Sequence, residues 1–211
     1  MSTSTPNVSN PRNPRPENPR QYWRTLSWVT ENIAISGDLP TNPFDALEQL
    51  AYWEGNGITH EIDVRIEAND EEFVTANSSI VYANFGVDDD GSPRDESWFD
   101  AVVAYVHYES AMNPDAKFVV HCHLGVNRAP SVVFAILLSL GWDPVPALRR
   151  IREVRPIAGI IYAGFAAAWH LMRQGVDEAG INEVLGEMND WFARNPLDLG
   201  WVIQNLHRRH A

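Results

Sequence analysis

The sequence of 211 residues has one cysteine, Cys122, and one lysine, Lys117. A single thiol forbids an intrachain disulfide, so the fold must rest on its core, and a reducing compartment is the natural setting. Basic charge is scarce as well, 16 side chains against 28 acidic ones, for a formal net charge of −12. A field of that sign repels polyanions and excludes general binding to nucleic acid or anionic membranes; an anionic substrate needs a local positive trap. Long apolar runs are also missing. The longest, residues 132–138, is far too short to span a bilayer, and the first twenty residues hold no apolar h-region. A soluble, cytoplasmic protein is expected. Internal repeats and coiled-coil heptads are absent. The composition is otherwise that of a globular domain, 45% hydrophobic and 21% charged, and the chain is long enough to bury a core without metal or disulfide staples.

Residues 1–21, rich in Pro, Asn, Ser and Arg, cannot repay the entropy of ordering and read as a disordered tail. Residues 28–35 (WVTENIAI) read as two short strands around Glu31-Asn32, and residues 43–54 as a helix with Pro in its first turn and Gly55 after it. Residues 58–64 (ITHEIDV) and 79–85 (SIVYANF) read as strands separated by an acidic loop, followed by a helix over 97–111 that ends before Asn113-Pro114. Residues 117–121 (KFVVH) form a continuous apolar strand of the kind covered on both faces. Residues 130–140 (PSVVFAILLSL) are apolar around the whole circumference, which predicts a buried central helix. Helices over 145–154, 161–173, 176–192 and 197–209 complete the chain. The alternation predicts an α/β fold with a mainly parallel central sheet flanked by helices on both faces. It divides into the tail, a domain over 22–174, and a helical extension over 175–211 packed on that domain.

The segment KFVVHCHLGVNRAPS (117–131) carries the chemistry: a buried strand, a thiol at its carboxyl end, a loop with Gly125, an arginine at 128, and a helix start. Ligands of open α/β sheets sit beyond the carboxyl ends of strands, where a helix N-terminus offers free N–H groups and partial positive charge. The spacer lets amides from His123 onward converge on one point, and Arg128 adds a planar fork for two oxygens of a tetrahedral anion. The same field favours a thiolate at Cys122, so that anion trap and nucleophile coincide. His121 and His123 flank the thiol, but on a strand and a loop they point apart, with no CxxC or HExxH spacing nearby. Neither a metal nor another cofactor is expected.

The string His-Cys, five residues, Arg resembles the signature of the cysteine-dependent protein tyrosine phosphatase superfamily, and within it the compact dual-specificity phosphatases. GITHEIDV (57–64) and Arg152-Glu153-Val154-Arg155-Pro156 before Gly164-Phe165 extend the resemblance over about residues 28–173. It implies hydrolysis of phosphotyrosine and phosphoserine or phosphothreonine in proteins through a phosphocysteine. Cys122 would attack phosphorus. Arg128 and the loop His123, Leu124, Gly125, Val126, Asn127, Ala129 would bind the phosphoryl oxygens, with His121 orienting the loop from behind and Ser131 in support. Such chemistry needs a general acid on a neighbouring loop. FGVDDDGSPRDESWF (85–99) offers Asp88, Asp89 and Asp90, whose mutual repulsion would favour protonation of one of them. In similar phosphatases the acid follows a Pro-Val-x pattern and precedes an aromatic pair. Gly86-Val87-Asp88-Asp89 with Trp98-Phe99 places Asp89 there, with Asp90 next in line.

The sequence departs from the family where Ala129 replaces the usual Ser or Thr, whose hydroxyl assists sulfur as leaving group; slow breakdown of the intermediate is expected. The family Asn that braces the loop is not evident in residues 157–163. A catalytically weak module that binds phosphorylated partners is therefore one alternative. An RNA 5′-triphosphatase, suggested by Asn127-Arg128, is another, though the net charge opposes it. A rhodanese-type sulfur transferase has a shorter loop. Residues 61–100 hold 12 acidic side chains against Arg65 and Arg94, whereas Arg149, Arg150, Arg152 and Arg155 cluster after the central helix and read as a basic rim. The loop interior HLGVN has no Lys or Arg, which disfavours inositol lipids.

Overall fold

A computed structural model describes residues 16–207; most of the expected tail, residues 1–15, and the end of the last expected helix lie outside the described residues. Pro19–Tyr22 form a 3-10 turn. Two short strands, β1 (Ser27–Trp28) and β2 (Ile33–Ser36), pair antiparallel. The remaining strands, β3 (His60–Arg65), β4 (Val81–Val87) and β5 (Phe118–His121), join β2 in a parallel array of order β1-β2-β5-β3-β4. The KFVVH strand is thus the middle of the sheet, as its unbroken apolar run requires.

Strand periodicity separates two cores. Ile33, Ile35, Ile62, Val64, Phe118 and Val120 share one with residues of α3 (Glu96–Met112), α4 (Arg128–Ser139), α5 (Pro144–Val154) and α6 (Ala163–Arg173). Ala34 and Val119 belong to the other, with α1 (Pro43–Gly55) and α2 (Glu71–Asn77). Helix α4 is buried from Arg128 through Leu138; each of its large apolar side chains is worth roughly 1.5–3 kcal/mol of burial. Two further helices follow. Helix α7 (Glu178–Arg194) buries Met188 and Trp191 in the main core, and α8 (Leu199–His207) packs on the 3-10 turn and on the loop after β5.

Two expectations are corrected. The acidic segment between β3 and β4 contains a helix, α2. Asn69 Oδ1 accepts the Glu71 amide at 2.8 Å, Glu71 and Glu72 sit where the helix dipole favours them, and Val74 is fully buried. One apolar anchor is too little periodicity to read in advance. The arginines after α4 form no rim. Arg150 donates to the carbonyls of Val29 and Trp28, Arg152 lies 5.6 Å from the centre of the Trp191 ring, and Arg155 is fully buried. Of the four, Arg149 alone is exposed.

The alternate residues of β3 are polar and still buried. Arg65 grips both oxygens of Asp63 at 2.9 and 2.8 Å and also reaches Asp70. Burial pushes the Asp63 carboxyl up, but the positive charge of His121 and the Arg65 fork outweigh it and hold Asp63 below the usual carboxylate range. A depressed folded pKa contributes stability that is complete above the unfolded value, about 3.9, and is lost as pH falls through the lower folded value. The stability gap between wild type and Asp63→Asn should therefore be widest near neutrality and close below about pH 4, measured by denaturant unfolding at a series of pH values.

Candidate active site

Strand β5 ends at His121 and α4 begins at Arg128, leaving residues 122–127 to turn the chain at the carboxyl edge of the sheet. Each carbonyl of this turn from 123 onward is tied outward. The oxygen of His123 accepts from the Trp23 indole and the Asp38 amide, both at 3.1 Å. Arg155 donates to the carbonyls of Leu124 at 3.1 Å and Gly125 at 2.6 Å. Val126 accepts from the Gly159 amide at 2.7 Å, and Asn127 from the Ser131 amide and hydroxyl at 3.0 and 2.8 Å. Among the described residues no acceptor is bonded to the amides of 123–128. With carbonyls out, the amides are left to face inward, the arrangement that binds an anion at a helix N-terminus.

Arg155 thus braces the loop from behind, a part that sequence reasoning sought in an asparagine. It also donates to Ser27 Oγ at 3.1 Å and to the Trp23 carbonyl at 3.1 Å. Gly125 has φ 64°, and a Cβ there would collide with the Arg155 guanidinium and the Ser36 carbonyl. Gly125→Ala should lose about 1–3 kcal/mol of stability, read from chemical denaturation.

Cys122, 2% exposed, lies at a cavity of about 260 Å³ that Arg128, Asp89 and Glu67 also line. The buried Arg128 guanidinium is clamped by both Glu67 oxygens at 2.7 and 2.6 Å and by the Val87 carbonyl at 2.9 Å. Its Nε–H has no partner and stands 3.7 Å from Asp89 Oδ2. Burial works against this charge, but the Glu67 bonds and the nearby Cys122 and Asp89 hold Arg128 above its ordinary pKa. The same bonds hold Glu67 below the usual carboxylate range.

Asp89 accepts from the Tyr162 hydroxyl at 3.0 Å, and that hydroxyl in turn accepts the Gly91 amide at 3.0 Å. Tyr162 follows Ile160, which is held at φ 56°, a strained conformation for a β-branched residue. Of the three consecutive aspartates, Asp89 lines the cavity. Asp90 is exposed and bound by the Ser92 amide and hydroxyl at 3.0 and 2.8 Å, which hold its carboxyl low. It therefore stands apart from the cavity, and Asp88 offers its carbonyl to Arg94 at 2.9 Å.

His121 and His123 point apart, as expected. His121 is buried and bonded to Glu61 at 2.8 Å; burial lowers its pKa, but Asp63 and Glu61 more than offset this and raise it. His123 Nδ1 lies 2.6 Å from Asp38 Oδ2, with its ring at the cavity mouth. Ligand atoms of Glu61, Asp70 and His121 lie within 4.8 Å of one another, yet a cation there would have to break the pairing of Asp70 with Arg65 and of Glu61 with His121. Ala129 is buried at the start of α4, and Ser131 ties the loop to the Tyr162 amide at 3.2 Å.

Sequence reasoning missed Glu67, Tyr162, Asp38 and the α8 residues at the cavity. Glu67 had a usable signal, since it follows the carboxyl end of the strand beside β5. Tyr162 had none. Replacing the fork by a point charge, Arg128→Lys, should weaken tungstate binding about tenfold or more, measured by calorimetry.

Residues 45–161 match the dual specificity phosphatase catalytic domain. Among solved structures, PTPMT1 in complex with PI(5)P superposes with a TM-score of 0.57 at 15% identity, covering 70% of this chain and 95% of that one. A mouse putative dual specificity phosphatase complexed with zinc tungstate gives 0.57 at 17% identity, covering 85% and 98%. A single-substitution form of human DUSP28 gives 0.55 at 18%, covering 71% and 97%. At these identities the likeness speaks to the fold. No curated protein matches. With more than half of the chain matched to the domain and the same fold around it, this chain belongs to the dual specificity phosphatase family, phosphatase-type hydrolases of the protein tyrosine phosphatase superfamily.

Proposed function

We propose that the protein hydrolyses phosphotyrosine and phosphoserine or phosphothreonine monoesters of cytoplasmic proteins through a phosphocysteine, without a metal. The observation that carries this reading is the loop whose carbonyls from His123 to Asn127 are bonded outward beside a buried thiol, with Arg128 Nε–H unused next to it. In the first step the Cys122 thiolate forms a bond to phosphorus as the P–O bond to the leaving group breaks, and Asp89 gives its proton to the departing oxygen. In the second, Asp89 as carboxylate takes a proton from water, whose oxygen attacks phosphorus; the S–P bond breaks, phosphate leaves and the thiolate returns. Loop amides and Arg128 balance the charge on the equatorial oxygens throughout. Glu67 is a positioning residue, since it holds the guanidinium in place.

Hydrolysis of p-nitrophenyl phosphate should vanish in Cys122→Ser, persist in EDTA, and fall about 10²–10⁴-fold in Asp89→Ala; full activity of the Cys122 variant would end the proposal. The Asp89 loss should be steepest for substrates with poor leaving groups.

Ala129 supports a second reading, a phosphoprotein-binding module with slow turnover. The Ser131 hydroxyl is spent on the Asn127 carbonyl and the Tyr162 amide. A stoichiometric burst with little steady state is expected from that module, and Ala129→Ser should then speed turnover in rapid-quench kinetics. Nothing further supports an RNA triphosphatase, and a loop without Lys or Arg argues against inositol lipids even though PTPMT1 was solved with PI(5)P.

A further inference from the structure

The extension after the catalytic domain reaches the cavity. Val202 and Leu206, one helical turn apart and completely buried, seat α8 on Leu124 and Val126 of the phosphate loop. The neighbouring i,i+4 pair, Ile203 and His207, then faces the cavity that holds Cys122. His207 stacks on His123 with ring centres 5.5 Å apart and planes 26° from parallel, their Nε2 atoms 3.4 Å apart. Asp38 holds the far side of His123 at 2.6 Å. Part of the cavity lining is therefore apolar, from Leu124, Val126 and Ile203, and part is acidic, from Glu67 and Asp89.

A wall of this kind beside a phosphate cup suits a flat apolar group attached directly to the phosphoryl oxygen. The ring of an aryl phosphate buries against Ile203 while its bridging oxygen faces Asp89. A phosphoserine has no ring, and its short stem brings polar peptide groups against the apolar wall, where they lose water without gaining a hydrogen bond. Building on the phosphomonoesterase reading, we propose that α8 makes the site select aryl over alkyl phosphomonoesters, with Ile203 as the specificity-determining contact and the His123–His207 stack closing the slot. Phosphotyrosine side chains would then be the preferred substrates, ahead of phosphoserine and phosphothreonine.

The test compares kcat/KM for phosphotyrosine and phosphoserine peptides of one sequence, using the full chain. Wild type should favour phosphotyrosine, which a phenolate leaving group alone could produce, so the variants decide. Ile203→Ala should lower the ratio about tenfold, with the loss in KM for the phosphotyrosine peptide, and Ile203→Leu should restore it. A wild-type ratio near one overturns the proposal. So does an Ile203→Ala enzyme that hydrolyses both peptides at the wild-type ratio, and in either case the phosphatase reading survives. Absence of any Cys122-dependent release of phosphate, from the peptides or from p-nitrophenyl phosphate, brings down both.

Discussion

An anion can be held inside an acidic protein only where positive potential is concentrated locally, and here that depends on where five residues, 123–127, send their carbonyls. Arg155 takes two of them, at Leu124 and Gly125, and Trp23, Asp38, Gly159 and Ser131 take the rest. Each outward bond commits the peptide plane and so turns the following amide inward. Gly125, at φ 64°, is the residue whose conformation permits the reversal, and the Arg155 guanidinium occupies the space a side chain there would need. The turn is therefore held in shape by the chain's own hydrogen bonds.

The charges around the cup follow from the same economy. Among the described residues that line the cavity, Arg128 is the one Lys or Arg, and Glu67 already pairs with it. A paired guanidinium keeps its place in a buried site at the cost of some attraction for the anion. The loop amides and the N-terminus of α4 are left as sources of positive potential that cannot be titrated away. Behind the sheet, Asp63, Arg65 and Asp70 form a second compact set of charges next to the His121–Glu61 pair. These groups hold β3 against β5 just where the loop departs.

The helices after the domain are integrated to different degrees. Helix α7 adds Met188 and Trp191 to the main core. Helix α8 instead completes a third, small core whose other members are Leu124, Val126 and Ile157. Apolar side chains on the loop after β5 would otherwise lie open to water, so the helix stabilises the loop from outside as Arg155 does from within. Both supports converge on the same few residues.

Much of this was legible from residue order. The unbroken apolar run before Cys122 meant a central strand, the apolar helix after Arg128 meant a buried one, and a thiol and an arginine at that spacing meant an anion cup, because period and spacing are local properties of a chain. Helix α2 escaped because it rests on one buried valine, and the arginines after α4 were misjudged because a charge in sequence does not say which carbonyls it will meet. Glu67, Tyr162, Asp38 and Ile203 come from four separate segments, 38 to 203 in the chain, and meet at the site only when the sheet closes and α8 folds back over the loop. Local order determined the thiol, its strand and the arginine after it; long-range packing decided which partners aim the guanidinium, bond Asp89 and wall the cavity, since contacts between distant segments have no periodic trace in the sequence.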